Sequence, residues 1–289
     1  MNDITSQKLD FAQNVVIHGV GLIGGSIAAA LKKLSFPGTI YGVGRNAERL
    51  REAHDRGLID EGITDIREAS RLADLIIICT PVDHIVQNVR EAAETAQPGT
   101  LITDGGSVKG SICDPLTQGL PEGVHFIGSH PLAGSEKQGF EHAKANLYEE
   151  RVCVVTPHAK TDPTQLSRLH QFWKTLGMQV VEMSPEAHDI ALAQTSHLPH
   201  LVASVLAGNL KEDQKILTAT GFRDTTRVAA GDPALWQAIF LGNRQGLLRT
   251  LDEFQALLQQ YRSAIENQEA DTLQNLLKNA KRNRDGLHQ

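Results

Sequence analysis

Residues 18–26 read HGVGLIGGS, between the apolar run NVVI and the helix-like segment IGGSIAAALKK. A G-x-G-x-x-G spacing between a strand and a helix is typical of the turn that binds the pyrophosphate of a dinucleotide. The first glycine makes the turn, the second lets the backbone approach the phosphates, and the third lets the helix pack closely on the strand. The positive end of the helix dipole then faces the anion. We therefore predict a cofactor site at Gly19, Gly21, Leu22, Ile23 and Gly24.

The next strand-like run indicates which dinucleotide to expect. Residues 40–50 read IYGVGRNAERL, and Gly44 and Arg45 stand where an NAD-binding domain usually carries an Asp or Glu that holds the adenosine ribose. An arginine beside a small residue can instead bind a 2′-phosphate with a charge-assisted hydrogen bond. The pair therefore favours NADP. The alternative is that Arg45 is a solvated surface side chain and that another group holds NAD.

The chain up to residue 183 alternates short apolar runs with helix-like segments. Such runs, rich in Val and Ile and bounded by Gly, Pro, Asp or Thr, are typical of strands that are buried on both faces of a mainly parallel sheet. The runs are NVVIHG, GTIYGVG, ADLIIICTP, GTLITDGG, GVHFIGSHP, RVCVVTP and MQVVEM. The pattern predicts an α/β, Rossmann-like, doubly wound domain over residues 1–183.

After Ser184 and Pro185 the strand-like runs disappear and long helical segments follow. One segment repeats apolar residues at intervals of three and four, which places on one helix face Leu247, Leu251, Phe254, Leu258, Tyr261 and Ile265. Extended apolar faces of this kind usually require a partner. We therefore predict an all-α domain over residues 184–289 that forms a homodimer and contributes to substrate binding. Asp232 and Pro233 are predicted to begin a helix, as its N-cap and first residue.

Polar residues end four of the strand-like runs, and in open α/β sheets the ligand lies beyond such carboxyl ends. We expect three of these ends to converge on one cleft: Thr80 and Pro81, the segment from Asp104 through Ser107 to Lys109, and the tripeptide Ser129, His130 and Pro131. The fourth end is Thr156 and Pro157. His130 is the one suited to proton transfer near neutral pH, although taken alone it could equally be a buried structural histidine. Its position at a strand end, with Ser107 opposite, favours a catalytic role.

Two histidines lie three residues apart in SHLPH, a segment of the helical part that contains His197 and His200. Such a pair can share a helix face and bind a metal. No third ligand follows at a suitable spacing, and Pro199 interrupts the pair. We therefore expect no metal site.

The segment GFRDTTR, residues 221–227, has two interpretations. It can be the start of a helix, with Asp224 as the cap. It can also supply Arg227 to a substrate carboxylate, an anion that arginine binds with a rigid bidentate fork. Both stay open from the residues alone.

The composition argues against several kinds of partner. The net charge is −6 and the sequence pI is near 6.0, which gives no electrostatic footprint for nucleic acid. The three cysteines have no paired or metal-like spacing, which indicates a reducing compartment. The N-terminus has neither a basic nor an apolar signal region, and no run of about 18 apolar residues occurs. We expect a cytoplasmic protein without a membrane anchor.

Together, several segments resemble the prephenate and arogenate dehydrogenase family of tyrosine biosynthesis. They fall in family order and are GVGLIGGS, CTPV, TDGGSVK, IGSHPLAGSEKQGF, TPHAKTDP, SHLPHLVA and GFRDTTRVAAGDPALWQAIFLGNR. The resemblance covers nearly the whole chain, and SHPLAGSE and GFRDTTRVA are far more specific than the glycine pattern. It implies oxidation of a cyclohexadienol: a hydride leaves ring carbon 4, the 4-hydroxyl loses its proton, and carbon dioxide departs.

The resemblance also implies roles for individual residues. His130 would hydrogen-bond the 4-hydroxyl and promote the loss of its proton, with Ser107 positioning that group and His130. Arg227 would bind a substrate carboxylate. The pocket would be lined from the helical domain by Ser196, His197 and His200. The cofactor would contact the glycine turn and also Gly44, Arg45, Thr80 and Pro81.

The sequence leaves alternatives open. The first choice is a prephenate dehydrogenase that uses NADP or NAD, and the second is an NADP-linked arogenate dehydrogenase. GFRDTTR and the short chain are similar to arogenate enzymes, whereas His200 resembles prephenate-type members, and Thr218–Thr220 depart from the family's glycine-rich pattern at the pocket wall. A β-hydroxy acid dehydrogenase would usually need a lysine where the helix near residue 190 offers histidines. A nonenzymatic NADP sensor would need neither His130 nor Arg227.

Overall fold

The computed structural model describes residues 11–135 and 137–287. Six parallel strands form the first sheet, in the order β3-β2-β1-β4-β5-β6. The strands are β1 (Asn14–His18), β2 (Thr39–Val43), β3 (Glu61–Ile63), β4 (Leu75–Ile78), β5 (Leu101–Asp104) and β6 (His125–Phe126). The polar N-terminal segment, residues 1–10, lies outside the described residues.

The central strand β1 is buried on both faces. Val15 and Ile17 pack into one core and Val16 into another, because successive side chains of a strand point to opposite sides of the sheet. Ile27 belongs to the first core and Val89 to the second. The helices that follow the strands are α1 (Leu22–Lys33), α2 (Ala47–Asp55), α3 (Ile66–Ser70), α4 (Ile85–Ala93) and α5 (Gly110–Cys113). The predicted doubly wound α/β domain is confirmed.

A second sheet of three strands follows, which the sequence pattern does not predict. Its first two strands are antiparallel, and its last two are parallel. Helix α6 connects the second strand to the third. The elements are β7 (Gly128–Pro131), β8 (Val152–Thr156), α6 (Pro163–Thr175) and β9 (Gln179–Glu182).

The run GVHFIGSHP, expected to be one strand of a single sheet, is divided between the two sheets at Ile127. The expectation that His130 ends a strand of the main sheet is therefore wrong, since His130 lies inside β7. The chain turns away here because Ser129 uses its backbone N–H and its hydroxyl to donate to Asp104, at 3.1 and 2.6 Å, and does not extend the ladder of β6.

Every regular element of the described residues after β9 is helical, as predicted. A π-helical turn, Ala193–His197, joins the first two of these helices. The helices are α7 (Pro185–Leu192), α8 (Leu198–Gly208), α9 (Thr220–Thr226), α10 (Pro233–Gly242), α11 (Arg244–Glu266) and α12 (Ala270–Asp285). No helix within residues 11–135 and 137–287 is long and apolar enough to cross a membrane.

Two polar side chains begin helices in this part of the chain. Oγ of Ser184 accepts the backbone N–H of Ala187 at 3.1 Å and caps α7. Oδ1 of Asp232 accepts the N–H of Leu235 at 2.8 Å and caps α10, which confirms the predicted Asp-Pro start. Asp224 lies inside α9, so its interpretation as a helix cap is wrong.

The chain divides into two compact units, one ending at Asn243 and one beginning at Arg244. The first contains both sheets and α1 to α10, and the second contains α11 and α12. On α11, Ala264 is buried, whereas Leu258 and Ile265 are 55% and 62% exposed. The predicted boundary between residues 183 and 184 stays a prediction.

Candidate active site

The glycine turn lies at the carboxyl end of β1 and leaves one side open. Gly19 has a φ of +99°, and a Cβ there would lie 2.7 Å from the carbonyl oxygen of Cys79. A Cβ at Gly24 would collide with the carbonyl oxygen of Gly19. At Gly21 no atom of the described residues, apart from the glycine and its two chain neighbours, lies within 4 Å of the Cβ position, so the backbone is accessible there to a ligand such as a pyrophosphate.

The residues after β4 and at the start of α1 adjoin this turn. The backbone nitrogen of Thr80 lies 3.1 Å from the Cβ position of Gly19, and Pro81 is the next residue. Leu22 and Ile23 are the first two residues of α1. The structure therefore brings these predicted cofactor residues together at the carboxyl ends of β1 and β4.

Gly44 and Arg45 lie beside the same turn. The backbone N–H of Gly19 donates to the carbonyl oxygen of Val43 at 2.9 Å, and Gly44 and Arg45 are the residues that follow. Arg45 is exposed. A Cβ at Gly44 would have ordinary contact with Leu50, at 3.7 Å, so space for a ligand remains on this side.

Gly105, directly after β5, connects the cofactor turn to His130. A Cβ at Gly105 would lie 3.5 Å from Cγ2 of Ile23 and 3.9 Å from Cδ of Pro131. The first turn of α1 and the residue next to His130 therefore flank the same glycine. A group bound at the glycine turn and a group bound at His130 would be neighbours.

His130 is 8% exposed and makes a hydrogen bond to a second histidine. Its Nδ1 lies 2.9 Å from Nε2 of His188, with the two rings edge to face. Nδ1 of His188 lies 2.8 Å from Oδ1 of Asp189. Burial, followed by the nearby His188, Lys109 and His197, holds the pKa of His130 well below 6.5. The His130 imidazole is therefore a neutral base near pH 7.

A buried ion pair fixes the start of β7. Asp104 ends β5 and pairs with Nζ of Lys109, and both side chains are fully buried. Nζ of Lys109 also donates to the carbonyl oxygen of Ser129 at 2.8 Å. The backbone N–H of Ser129 donates to Asp104. The pair thus holds the residue that precedes His130.

Asp189 is the centre of a second set of contacts. Its carboxylate accepts the backbone N–H groups of Lys109 and Gly110, at 2.8 and 2.9 Å. The side-chain amide of Asn243 donates to the carbonyl oxygen of Asp189 at 2.6 Å and lies 3.1 Å from Nδ1 of His197. These bonds bring α5, α7 and the end of α10 together next to His130.

Ser107 and His197 are also neighbours. Ser107 is half-buried in the loop between β5 and α5, and its backbone interacts with the side chain of His197. Burial lowers the pKa of His197 to about 4. The hydrogen bond of His130 goes to His188. The predicted placement of Ser107 against His130 and a substrate hydroxyl stays a prediction.

A cavity of about 430 Å³ opens beside His200, within the size range of small-molecule sites. The rings of His200 and Trp236 are stacked, with centroids 3.5 Å apart. Nδ1 of His200 is buried and has no hydrogen-bond partner among the described residues. The cavity is lined by His200, Ser204, Ala229, Gly231, Pro233, Trp236, Gln237, Phe240 and Leu241.

The other predicted substrate residues lie near this cavity. Arg227 is exposed and begins the turn Arg227–Ala230, which packs against α8, the helix that carries His200. Ser196 is half-buried in the π-helical turn before α8. Within the described part of the chain, no cluster of three or more His, Cys, Asp or Glu side chains is placed to hold a metal ion.

Four residues of the site are absent from the sequence prediction: His188, Asp189, Trp236 and Asn243. The adjacent histidine and aspartate at the start of the helical segment are the one local signal for the first two. Trp236 and Asn243 belong to an apolar helical segment. In such a segment an aromatic residue most often packs in a core and an amide residue most often marks a helix end, so neither residue indicates a site.

Two family models match this chain. The nucleotide-binding domain of prephenate dehydrogenase matches residues 27–182, and the dimerization domain of prephenate dehydrogenase matches residues 184–279. The chain belongs to the prephenate dehydrogenase family. The resemblance seen in the sequence motifs is confirmed. The glycine turn precedes the first matched range, so its assignment depends on the geometry described above.

Relatives in this family cover most of the chain. It is 38% identical to the prephenate dehydrogenase of Bacillus subtilis, over 94% of this chain and 76% of that protein. It is 37% identical to the cyclohexadienyl dehydrogenase of Zymomonas mobilis, over 90% of this chain and 91% of that protein. A solved structure of A. aeolicus prephenate dehydrogenase, in complex with hydroxyphenyl propionate and NAD+, superimposes with a TM-score of 0.85 at 34% identity, over 94% of this chain and 97% of that one.

Membership of the prephenate dehydrogenase family makes the chain an oxidoreductase with a nucleotide-binding domain. The nonenzymatic sensor and the β-hydroxy acid dehydrogenase are therefore no longer supported as alternatives.

Proposed function

We propose that this member of the prephenate dehydrogenase family converts prephenate to 4-hydroxyphenylpyruvate and carbon dioxide, with NADP as the preferred cofactor. The observation that carries the proposal is the position of His130. It is a buried, neutral imidazole, and its neighbour Pro131 flanks Gly105 together with Ile23, which lies in the first turn of the cofactor helix. A base and a hydride acceptor placed side by side are what oxidation of a ring carbinol requires.

The residues of the glycine turn and of the end of β2 fit a phosphorylated dinucleotide. The open side of Gly21 would face the pyrophosphate, and Arg45, with the small Gly44 beside it, would bind the 2′-phosphate. Bound NADP or NAD would accept a hydride from ring carbon 4 of the substrate. The NADP preference depends on this one pair of residues.

The protein's own groups would position the substrate and remove its proton. Nε2 of His130 would accept the proton of the 4-hydroxyl as ring carbon 4 is oxidised, with Ser107 orienting that hydroxyl. Arg227 would bind a substrate carboxylate through a bidentate pair. His197, Ser196 and His200, whose Nδ1 has no hydrogen-bond partner within the described residues, would complete the pocket wall.

A homodimer through the helical domain is part of the proposal. The family model over residues 184–279 describes a dimerization domain. Large apolar side chains in this range are strongly exposed, among them Val205 at 65%, Ile216 at 89%, Leu217 at 78% and Leu241 at 66%. Such a surface is typical of a protein interface. Light scattering after size exclusion should give twice the chain mass.

The two-domain division at residues 183 and 184 and the cytoplasmic location stay predictions.

The deciding experiment incubates the purified protein with prephenate or arogenate, each with NADP or NAD. Formation of reduced nicotinamide with release of carbon dioxide, fastest for prephenate with NADP, is the expected result. A faster reaction with arogenate would change the substrate assignment and retain the chemistry. No turnover in any of the four combinations would overturn the proposal.

A further inference from the structure

We propose that His188 and Asp189 are positioning residues that determine which ring nitrogen of His130 carries a proton. Together they keep Nε2 of His130 unprotonated and available as the base for the substrate hydroxyl. The inference about catalysis rests on the proposed function, whereas the inference about the proton position concerns the protein alone. Its basis is the chain of two hydrogen bonds from Asp189 through His188 to His130.

The chain begins at an acceptor that cannot donate. The carboxylate of Asp189 accepts backbone N–H groups from Lys109 and Gly110. Burial alone would raise the pKa of Asp189, but the hydrogen bonds from His188 and from these two backbone groups hold it below its ordinary value. An ionised carboxylate has no proton to give. The nitrogen of His188 that lies 2.8 Å from Asp189, Nδ1, must therefore carry the proton.

The protonation of His188 then determines that of His130. Burial, with an additional effect from Lys109, outweighs the charge of Asp189 and lowers the pKa of His188, so its ring is neutral. A neutral imidazole with a proton on Nδ1 has a lone pair on Nε2. The 2.9 Å bond between the two histidines is satisfied only if Nδ1 of His130 donates. His130 is then left with a lone pair on Nε2, the form that a general base requires.

Several charged or titratable groups face this chain of hydrogen bonds. Lys109 and His197 lie close enough to His130 to disfavour its charged form, and Asp104 faces His188 from the end of β5. During turnover, the O–H bond of the substrate would break and an N–H bond would form at Nε2 of His130. The positive charge would be shared with His188 through their hydrogen bond and would face the Asp189 carboxylate. That carboxylate therefore stabilises the charged intermediate form of His130.

A purely structural role for the pair is the competing explanation, because Asp189 also ties α7 to the start of α5. His188→Phe separates this structural explanation from the proposed positioning role. It keeps an aromatic ring in the same space and leaves Asp189 its backbone bonds, but it removes the acceptor for Nδ1 of His130. His188→Gln is the conservative variant, since its side-chain carbonyl can accept the same proton.

His54→Phe provides the matched control. His54 and Asp55 are also adjacent in sequence, and their side chains lie 3.3 Å apart, but both are exposed on the surface. Neither belongs to the site. Any effect of a generic histidine-to-phenylalanine change on expression or stability would appear in this variant as well.

The first readout is nitrogen NMR of the histidine-labelled full-length protein without substrate, with the His130 signal assigned by its loss in His130→Asn. The wild-type spectrum should show His130 with a proton on Nδ1 and none on Nε2. In His188→Phe the two forms should be mixed, and in His188→Gln the wild-type form should dominate. A wild-type His130 protonated on Nε2, or a His188→Phe variant with an unchanged His130 signal, would overturn the inference.

The second readout is kinetic. His188→Phe should lower kcat by roughly 100-fold, at the lower end of the contribution of acid–base assistance, with substrate KM changed by less than roughly 3-fold. The acid limb of the pH profile should move, and His188→Gln should recover most of kcat. A loss confined to KM, or a profile unchanged in pH, would indicate packing alone. If the wild type turns over none of the four combinations, the proposed function fails and the NMR result still decides the proton position. If His188→Phe does not fold, the wild-type and His188→Gln spectra decide it.

Discussion

Nζ of Lys109 is paired with the carboxylate of Asp104 at a place where neither side chain is exposed to solvent. The same two residues bond the backbone of Ser129, the residue before His130. A charge pair of this kind costs much desolvation, and removing one partner leaves the other charged and buried. The pair is therefore a structural support of β7, the strand that contains His130.

Asp104→Asn should destabilise the protein by about 3–5 kcal/mol, the usual cost of an uncompensated buried charge. The free energy of unfolding from urea titration measures it. The double variant Asp104→Asn with Lys109→Met should recover part of the loss, because the unpaired ammonium is gone. Lys33→Met, which breaks an exposed pair with Glu149, should leave the unfolding midpoint unchanged. Equal midpoints for Asp104→Asn and the wild type would contradict the role of the pair.

His130→Asn should lower kcat by roughly two to four orders of magnitude, the range expected when acid–base assistance is lost. The affinity for NADP, measured by fluorescence titration, should change little because the proposed role of His130 is at the hydride site and not at the pyrophosphate turn. His158→Asn, a change at an exposed histidine, is the control and should retain full turnover. An unaltered kcat in His130→Asn would remove this residue from the mechanism.

The sequence predicts local features of the fold better than it predicts long-range pairing. Gly19, Gly21 and Gly24 are recognisable because their spacing alone defines a strand, turn and helix. The division of GVHFIGSHP is different, because it depends on Ser129 meeting Asp104, which lies 25 positions earlier. The apolar pattern of a strand does not indicate which of two sheets the strand will join.

The candidate site shows the same limit. His130 could be chosen from its residue type and its neighbours in sequence. His188 could not, since its contact with His130 joins residues 58 positions apart and on different elements. The role of Asn243 follows only from the position of its amide between the backbone of Asp189 and the ring of His197.

The cofactor preference should change when the end of β2 is redesigned. Gly44→Asp with Arg45→Ala supplies an acid for the ribose hydroxyls and removes the cation for the 2′-phosphate. The new side chain has room, since the Cβ position of Gly44 is 3.7 Å from Leu50. The ratio of kcat/KM for NADP to that for NAD should fall roughly 10- to 100-fold, in line with one lost charge-assisted interaction. Arg51→Ala, at an exposed arginine of α2, is the control. An unaltered ratio in the double variant would mean that another group binds the 2′-phosphate.

Arg227→Ala should raise the substrate KM by roughly 10- to 100-fold, because a carboxylate loses its charged hydrogen-bond partner. Turnover at saturating substrate should fall much less. Arg227→Lys should recover only part of the affinity, since an ammonium cannot form the bidentate pair. Arg223→Ala, at an exposed arginine of α9, should leave KM unchanged. If Arg227→Ala had the wild-type KM, the carboxylate would have to bind elsewhere.

The protein should lose stability as the pH falls from about 6.5 towards 4, because several buried histidines resist protonation. Burial lowers the pKa of His18 and of His197 to about 4, and it holds the pKa of His130 well below 6.5. The unfolded chain takes up protons at its ordinary histidine pKa, so below that pH it binds more protons than the folded chain. Each such histidine then contributes a loss of about 1.4 kcal/mol per pH unit.

Urea midpoints should be equal at pH 7 and pH 8 and lower at pH 5, and His18→Phe should reduce this pH dependence. Equal midpoints at pH 7 and pH 5 would show that these rings accept protons in the folded protein.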